Sequence, residues 1–415
     1  MTQFSQLETQ INRLLAHADI VHHGQNLLAR MQKLVDALGN PEKNLTIVHV
    51  AGTSGKTSTC YFVASLLNQA GYTTGLTISP HVDTVRERAI VNLQPLSEKA
   101  WVAYATEFFT LVKNSNIKPS YFEFYMAFAY WLFAKLKLDY AVIETGLGGT
   151  WDGSNIATNP DKICLITDIG YDHTEILGDT ITAIASEKAG IIHAHNNVYV
   201  YPQSPEITSV IQNRAMHMHA KLHLVKNLNT NFMARNFNLA QHAVNFTLKH
   251  DHQSFLTKPQ IKAARTINVP ARAEPIIYQN KQIIMDGSHN PQKLTAFKQY
   301  LNQKYPSPSR TLLASLGSNK LATLDQSMQI FRQISDYIIL TSFQNDSLET
   351  NKRTSIDQAT LISAAHQANF KSIKYIHNPT AALKTALNTP AQQLVITGSF
   401  YLLDHLRPHL LGYAP

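Results

Sequence analysis

Cysteine is nearly absent from this chain of 415 residues, which contains only Cys60 and Cys164. Two cysteines cannot build the framework of disulfides that holds small secreted domains together, and their scarcity suits a reducing compartment. Long apolar runs are also missing, because no stretch approaches the ~20 apolar residues that a transmembrane helix needs. Residues 1–4 show no basic segment that leads into an apolar one. We therefore expect a cytoplasmic protein with no secretory signal and no role in a membrane.

Acidic residues are fewer than basic ones, 28 against 36, so that the formal net charge is +8. A positive net charge attracts polyanions. The lysines and arginines are scattered rather than clustered, and no basic stripe interleaved with aromatic residues appears, so nucleic acid is not the expected partner. A small substrate with several negative charges fits the charge at least as well. The length of the chain exceeds one ordinary core and predicts two domains.

The most informative stretch is a glycine loop between an apolar run and a helix-like segment. Its residues are Gly52, Thr53, Ser54, Gly55, Lys56, Thr57 and Ser58. A strand, a glycine loop and a helix in this order are typical of a phosphate site, because backbone N–H groups converge there at a helix N-terminus. In such a site Lys56 bridges the terminal phosphates, and Thr57 or Ser58 holds Mg²⁺. A tight turn with an accidental Lys-Thr pair is the alternative, but the flanking pattern favours a nucleoside triphosphate.

Ionisable side chains follow other predicted strands. Glu144 ends an apolar run and precedes several glycines, which makes it a candidate Mg²⁺ ligand, since parallel sheets bind ligands at the carboxyl ends of their strands. His173 follows the next run and is a candidate ligand of a second metal, with a structural histidine as the alternative. We expect Glu144 and His173 at neighbouring strand ends. Asp286 and His289 lie on a similar turn in the second half, from which they could reach a nucleotide bound to the first domain.

Apolar periodicity predicts alternating helices and strands in both halves. In the first half, strands are predicted at residues 45–50, 74–78, 139–144, 162–167 and 198–201, and helices at 4–15, 24–38, 58–70, 97–112, 122–136, 180–188 and 236–249. The pattern loosens through residues 266–275, which we interpret as the domain junction. The second half has predicted strands at residues 282–285, 311–315, 337–340, 373–376 and 394–397, with helices at 291–303, 355–368 and 380–387.

This order predicts an α/β fold with two domains. A P-loop ATP-binding domain with a mostly parallel sheet is expected at residues 1–268. A smaller Rossmann-like α/β domain without a phosphate loop is expected at residues 275–415.

Seven motifs in a fixed order resemble the Mur ligase superfamily, and specifically its folate branch, the folylpolyglutamate and dihydrofolate synthases. They read G-T-S-G-K-T-S, S-P-H-V-D-T-V-R-E-R, E-T-G-L-G-G-T-W-D, D-I-G-Y-D-H-T-E-I-L-G, S-E-K-A-G-I, D-G-S-H-N-P and T-G-S-F-Y-L-L. The resemblance runs from about residue 38 to residue 403. Only about fifty residues precede the glycine loop, too few for the nucleotide-sugar-binding domain that begins peptidoglycan Mur ligases.

The resemblance implies roles that the local pattern leaves open. Ser79 matches a position that binds Mg²⁺ and contacts the pterin substrate loop. Lys188, whose local pattern is that of an ordinary helix end, matches a lysine that CO₂ carbamylates in this superfamily, which turns it into an anion able to position Mg²⁺. Arg272 matches a linker arginine that touches the ATP phosphates. Asp286 and His289 match residues that close over nucleotide and glutamate.

The implied activity is that of an ATP-dependent, ADP-forming ligase. It would add L-glutamate to the carboxylate of a folate or of dihydropteroate through an acyl phosphate, as a monomer. The expected catalytic residues are Lys56, Lys188 and His173. Two Mg²⁺ ions are expected, with Thr57, Ser58, Ser79, Glu144, His173 and carbamylated Lys188 as their candidate ligands.

Several residues depart from the folate-branch pattern. Ser54 and Thr57 resemble the Mur form of the loop, Thr150 stands where an arginine is usual, Asp168 replaces an asparagine or serine, and Leu239 stands where an amide is expected. These departures leave open a different Mur-type ligase that joins an amino acid to another carboxylate. A catalytically silent nucleotide-binding protein is the second alternative, although every phosphate and metal position is filled.

Overall fold

The computed structural model of the chain describes residues 2–16, 24–226, 231–345 and 353–412. The chain divides into two compact units, Met1–Ile267 and Asn268–Pro415. None of the helices in these described ranges combines the length and the apolar character that crossing a membrane requires.

The first unit is built on one large sheet. Its strands are β1 (Ile47–Ala51), β2 (Thr74–Thr77), β3 (Ile90–Val91), β4 (Gln94–Pro95), β5 (Tyr140–Glu144), β6 (Ile163–Ile166), β7 (Asn197–Val200) and β8 (Lys221–Leu224). They lie in the order β4-β3-β2-β5-β1-β6-β7-β8. Only the β2–β3 and β3–β4 pairs are antiparallel, so the mostly parallel sheet that the sequence predicts is confirmed.

The first unit also contains α-helices, several of which connect these strands. They are α1 (Gln3–Leu15), α2 (Gln25–Ala37), α3 (Lys56–Gln69), α4 (Glu98–Asn114), α5 (Tyr121–Lys135), α6 (Thr174–Leu177), α7 (Ile181–Ala189), α8 (Pro205–His217), α9 (Phe232–His250) and α10 (Lys258–Arg265). The start of α5 is fixed by a capping box, in which the Glu123 amide donates to Ser120 Oγ and the Ser120 amide donates to the Glu123 carboxylate. Behind that start, α5 buries a run of aromatic side chains in the core.

The register of the central strands brings three loops together. Every residue of β1 is buried, as expected for a strand covered on both faces of a parallel sheet. In the ladder, Val50 pairs with Glu144 of β5, and Ala51 pairs with Ile166 of β6. The loops that follow β1, β5 and β6 therefore leave the same edge of the sheet side by side.

The second unit contains a six-stranded sheet and a short two-stranded one. The strands are β9 (Glu274–Tyr278), β10 (Lys281–Asp286), β11 (Arg310–Ala314), β12 (Tyr337–Thr341), β13 (Gln344–Asn345), β14 (Arg353–Thr354), β15 (Ser372–Ile376) and β16 (Gln393–Thr397). The helices are α11 (Pro291–Lys304), α12 (Leu324–Ile334), α13 (Gln358–Gln367), α14 (Pro379–Leu387) and α15 (Phe400–Leu411). The main sheet has the order β15-β12-β11-β16-β10-β9, and only β9 runs antiparallel to its neighbour.

Several elements differ from the sequence prediction. The helices α6, α8, α10, α12 and α15 and the strands β3, β4, β8, β9, β13 and β14 were not predicted. The strands among them are short or only partly buried, so they lack the apolar run on which the prediction depended. Glu144 and His173 do not follow adjacent strands either, because β1 lies between β5 and β6.

Candidate functional site

The loop between β1 and α3 adopts a conformation that glycine allows. Gly52 has a φ of +151°, and a Cβ on it would lie 1.9 Å from Thr167 Oγ1. Gly55 precedes α3 with a φ of +92°, where a Cβ would lie 2.7 Å from the side chain of Asn236. The chain therefore turns sharply from the strand into α3, whose N-terminus carries the positive partial charge that favours a bound anion.

The middle of the loop is hydrogen-bonded to the segment after β6. The amides of Thr53 and Ser54 donate to the carbonyl oxygen of Asp168 at 2.7 and 3.2 Å, and the Thr53 hydroxyl donates to the carbonyl oxygen of Gly170. The Asp168 carboxylate forms an ion pair with Arg235 of α9, so this departure from the family pattern has a partner of opposite charge. In this conformation the Thr53 and Ser54 amides already donate to a carbonyl oxygen of the protein. That these two amides bind phosphate therefore stays a prediction.

Three side chains at the start of α3 point to different partners. Lys56 Nζ donates to the carbonyl oxygen of Gly52 at 3.0 Å. The Ser58 hydroxyl donates to the Gly55 carbonyl oxygen and accepts from Nδ2 of the Asn236 side chain, whereas the Thr57 hydroxyl donates to Glu144. Of the two adjacent hydroxyls predicted to hold Mg²⁺, those of Thr57 and Ser58, only that of Thr57 donates to a carboxylate within the described part of the chain.

Glu144 is the last residue of β5 and is only 2 % exposed. Its Oε1 accepts from Thr57 Oγ1 at 2.9 Å, and its Oε2 accepts from the Ser79 amide at 3.3 Å. Hydroxyl and carboxylate oxygens are the hard donors that Mg²⁺ prefers. Among the described residues, no three His, Cys, Asp or Glu side chains form a metal cage. A site with one carboxylate suits Mg²⁺, which is commonly held by one or two carboxylates, waters and substrate phosphates.

Lys188 lies in the last turn of α7 and is only 4 % exposed. The backbone around it packs against the glycine segment that follows Glu144: the Thr150 amide donates to the Glu187 carbonyl oxygen at 2.8 Å. Gly149 passes so close that a Cβ on it would lie 3.0 Å from Lys188 Cα. The structure thus brings the backbone of Lys188 next to the loop that begins at the candidate Mg²⁺ ligand.

Replacement of Gly149 with alanine is expected to destabilise the first unit by about 1–3 kcal/mol, the usual cost of overpacking. The added Cβ would lie 2.3 Å from the carbonyl oxygen of Glu187, and this backbone atom can move only if the end of α7 moves. Urea unfolding curves of the variant and the original chain measure the change. Gly153→Ala is the control, because its nearest neighbour is a side-chain atom of Phe122 at 3.3 Å. Equal stability of the two variants would contradict the tight packing at Gly149.

His173 lies at the start of the short helix α6, with its backbone in the left-handed region at φ +52°. Its side chain is 37 % exposed, and its Nδ1 lies 3.8 Å from a carboxylate oxygen of Glu175. An accessible imidazole beside a carboxylate is compatible with metal binding. The second metal site, with His173 and Lys188 as ligands, stays a prediction.

The predicted residues of the second unit lie around the loop before β9 and the end of β10. Asp286 is buried, and its carboxylate accepts from the amides of Ala273 and Ser288 at 2.7 and 2.8 Å. Burial raises the pKa of Asp286 above its usual value, although these hydrogen bonds oppose the shift. The guanidinium of Arg272 stacks over the ring of Phe400, with Cζ 4.0 Å from the centre of the ring. The ring of His289 meets the same ring edge-on.

A buried polar network beside Glu144 escaped the sequence prediction. His49 of β1 lies 2.9 Å from Ser154 Oγ and 3.1 Å from Thr145 Oγ1, and burial holds its pKa well below the usual value. Asp152 accepts from the Leu147 amide at 2.8 Å and so closes the glycine segment after β5. The sequence does contain a signal for Asp152, because this residue ends one of the seven motifs. His49 belongs to no motif and lies within an apolar strand, so nothing in the sequence indicates its role.

Comparison with known proteins gives two family matches and several relatives. The Mur ligase middle domain matches residues 50–272, and the dihydrofolate synthetase C-terminal domain matches residues 268–408. The dihydrofolate synthase/folylpolyglutamate synthase of Bacillus subtilis is 41 % identical over 193 residues, which are 45 % of this chain and 44 % of that protein. The match thus spans less than half of that relative's length. The dihydrofolate synthetase of Saccharomyces cerevisiae is 26 % identical over 91 % of this chain and 96 % of that protein.

The fold is also that of a solved ligase. The folylpolyglutamate synthase of Mycobacterium tuberculosis, complexed with ADP, superposes with a TM-score of 0.84 over 100 % of both chains at 24 % identity. These comparisons confirm the resemblance that the seven motifs indicated and the α/β fold class.

Proposed function

The chain belongs to the Mur ligase family, and from this premise we propose that it is an ATP-dependent, ADP-forming ligase that adds L-glutamate to a folate or dihydropteroate carboxylate. The match of residues 268–408 to the dihydrofolate synthetase C-terminal domain supports the folate branch. The relatives that bear the names folylpolyglutamate synthase and dihydrofolate synthase support the same substrates.

One observation carries the proposal: the Thr57 hydroxyl and the Ser79 amide converge on the buried carboxylate of Glu144, next to the glycine loop. In this arrangement Lys56 and the N-terminus of α3 would neutralise the phosphates of ATP, and Thr57 and Glu144 would hold Mg²⁺. Bound Mg²⁺ would supply additional charge neutralisation on the phosphates. The register of β1, β5 and β6 supports this proposal, because it places the ends of the three strands together.

The reaction requires two displacements. An oxygen of the acceptor carboxylate attacks the γ-phosphorus, the bond from that phosphorus to the bridging oxygen breaks, and ADP leaves. The amine of L-glutamate then attacks the acyl carbon, phosphate departs with the oxygen it received, and the amine loses a proton. The task of the protein is to orient the reactants and to stabilise negative charge, because phosphoryl transfer depends mainly on these two effects.

We further propose that Lys188 carries a carbamate and, with His173, holds a second Mg²⁺ near the acyl phosphate. The burial of Lys188 and the closeness of its backbone to the segment that follows Glu144 support this role. Arg272, Asp286 and His289 are proposed to contact nucleotide and glutamate, and the monomeric state stays a prediction.

An ADP-release panel tests the proposed function. Dihydropteroate, a monoglutamyl folate and a non-pterin carboxylate are each supplied with ATP and Mg²⁺, with and without L-glutamate. We expect ADP release that depends on both a pterin and glutamate. Release with the non-pterin carboxylate alone would favour a different Mur-type ligase, and nucleotide binding without any release would favour the silent binding protein.

A further inference from the structure

Helix α15 holds the loop that carries Arg272 at two points. We propose that Glu274 and Arg407 are positioning residues that fix the guanidinium of Arg272 for its contact with the ATP phosphates, and that Phe400 completes the support. The inference rests on the proposed function, since it assigns the reason for the placement of an arginine that acts in that reaction. All the residues that carry it lie in the second unit.

The backbone on both sides of Arg272 is in a disfavoured conformation. Ala271 and Ala273 have φ values of +55° and +48°, in the left-handed region that residues with a Cβ seldom occupy. Conformations of this kind persist only when the surrounding structure over-determines them. The side chain of Arg272 therefore depends on contacts that hold its two neighbours.

Two buried carboxylates provide these contacts. The Ala271 amide donates to Glu274 Oε2 at 2.8 Å, and the Ala273 amide donates to Asp286 Oδ2 at 2.7 Å. The Ala271 carbonyl oxygen also accepts from the Gly287 amide at 3.0 Å. Each left-handed alanine is thus held through its own amide by a different acid.

The side chain of Glu274 is fully buried, and each of its two carboxylate oxygens accepts two hydrogen bonds. Arg407 donates its Nε to Oε2 and its Nη2 to Oε1, both at 2.7 Å, and Asn268 Nδ2 donates to Oε1 at 2.8 Å. The side chain of Arg407 is only 7 % exposed. A buried pair of this kind is weak evidence for a gain in stability, because removing two charges from water costs about as much as their attraction returns. Specific geometry is the better explanation of the pair.

The second point of support is the ring of Phe400. Arg272 Cζ lies 4.0 Å from the centre of this ring, a distance at which a cation is attracted to the aromatic face. Phe400 and Arg407 are seven residues apart on α15, which puts them on the same face two turns from each other. One helix face therefore holds both the guanidinium of Arg272 and the acid that fixes its backbone.

The test is a double-mutant cycle between Glu274→Gln and Arg272→Ala, with kcat and KM for ATP measured in ADP release. Glu274→Gln keeps the shape of the side chain but removes the charge that holds Arg407 and the Ala271 amide. We expect this variant to lower kcat/KM for ATP by about tenfold or more, as small displacements of catalytic groups do. In the Arg272→Ala background the same change should have almost no further effect, because the positioned group is gone. A purely structural role would instead give the same loss in both backgrounds and would overturn the proposal.

A second pair of variants keeps the test decisive if Glu274→Gln folds poorly. Phe400→Leu removes the aromatic surface under Arg272 and leaves the ion pair between Glu274 and Arg407. It should lower kcat/KM for ATP in the original chain and have almost no effect in the Arg272→Ala background. Phe400→Tyr keeps the ring and should restore kcat/KM. The matched control is Asp336→Asn, which removes a carboxylate from the partly exposed pairs with Arg332 and Lys371 and should leave kcat/KM unchanged.

Hydrogen exchange separates this proposal from the proposed function. Even in a chain without ligase activity, Glu274→Gln should accelerate exchange of the Ala271 amide, whereas Asp336→Asn should not. Unchanged exchange would show that Glu274 does not hold the loop. Accelerated exchange together with full activity of Arg272→Ala would show that the loop is held but that Arg272 has no part in the reaction, which would also overturn the proposal.

Discussion

Replacement of Lys56 with alanine is expected to lower ATP turnover by about 10²–10³-fold, the usual effect of removing one charge-stabilising donor from an active site. Lys56 is the first residue of α3, and its Nζ lies 3.0 Å from the Gly52 carbonyl oxygen. This position places the ammonium over the glycine loop, where the phosphates of ATP would bind. Because the side chain does not fill the core, the fold should persist. Steady-state ADP release and thermal unfolding measure the two parts of this prediction.

The control for Lys56 is another lysine in the same unit. Lys135→Ala removes a charge from an exposed ion pair with Glu107, and exposed pairs of this kind contribute little. It should leave both turnover and stability close to those of the original chain. A Lys56→Ala variant that keeps more than about a tenth of the original turnover would contradict the assignment of the phosphate loop.

The sequence predicts the fold wherever apolar runs and glycines carry a local signal. The strands β1, β5 and β6 are buried runs of four or five residues, and each is followed by a loop with a motif. The strands β5 and β6 both pair in parallel with β1, and this arrangement places the three motif loops at one edge of the sheet. For this reason the sequence is sufficient to assign Glu144 and the loop of Lys56 to one site.

The remaining features depend on contacts between residues that are distant in sequence. Asn236 lies 178 positions from Ser58, to whose hydroxyl it donates, and Glu274 lies 133 positions from Arg407. A local sequence pattern cannot predict which polar side chains will form hydrogen bonds with each other over such separations. The order of the strands in the sheet also depends on contacts between distant segments. Because β1 lies between β5 and β6, the strands that precede Glu144 and His173 are not adjacent, and no motif indicates this.

Replacement of Lys188 with alanine is expected to abolish ligation, because the proposed carbamate would be lost. A lysine reacts with CO₂ only as the free amine, so either its pKa must be low or its product must be trapped by a metal. The residue is buried at the end of α7, next to the segment that follows Glu144, where Mg²⁺ could provide that trap. The carbamate itself is measurable without any turnover, by ¹³C NMR of the protein in ¹³C-labelled bicarbonate. The Lys188→Ala variant should lack that resonance.

Three further conditions separate a carbamate from an ordinary helix-end lysine at position 188. Short carboxylic acids such as acetate should partly restore ligation to Lys188→Ala, since they can occupy the vacated anion site. Lys188→Glu should keep some activity because it retains a negative charge, although its reach is shorter. Lys188→Arg should be inactive, because it keeps the positive charge that favours a helix C-terminus but cannot form the same carbamate. If Lys188→Arg ligates normally, or if Lys188→Ala does so in CO₂-depleted buffer, then the lysine only ends the helix and the second metal site is wrong.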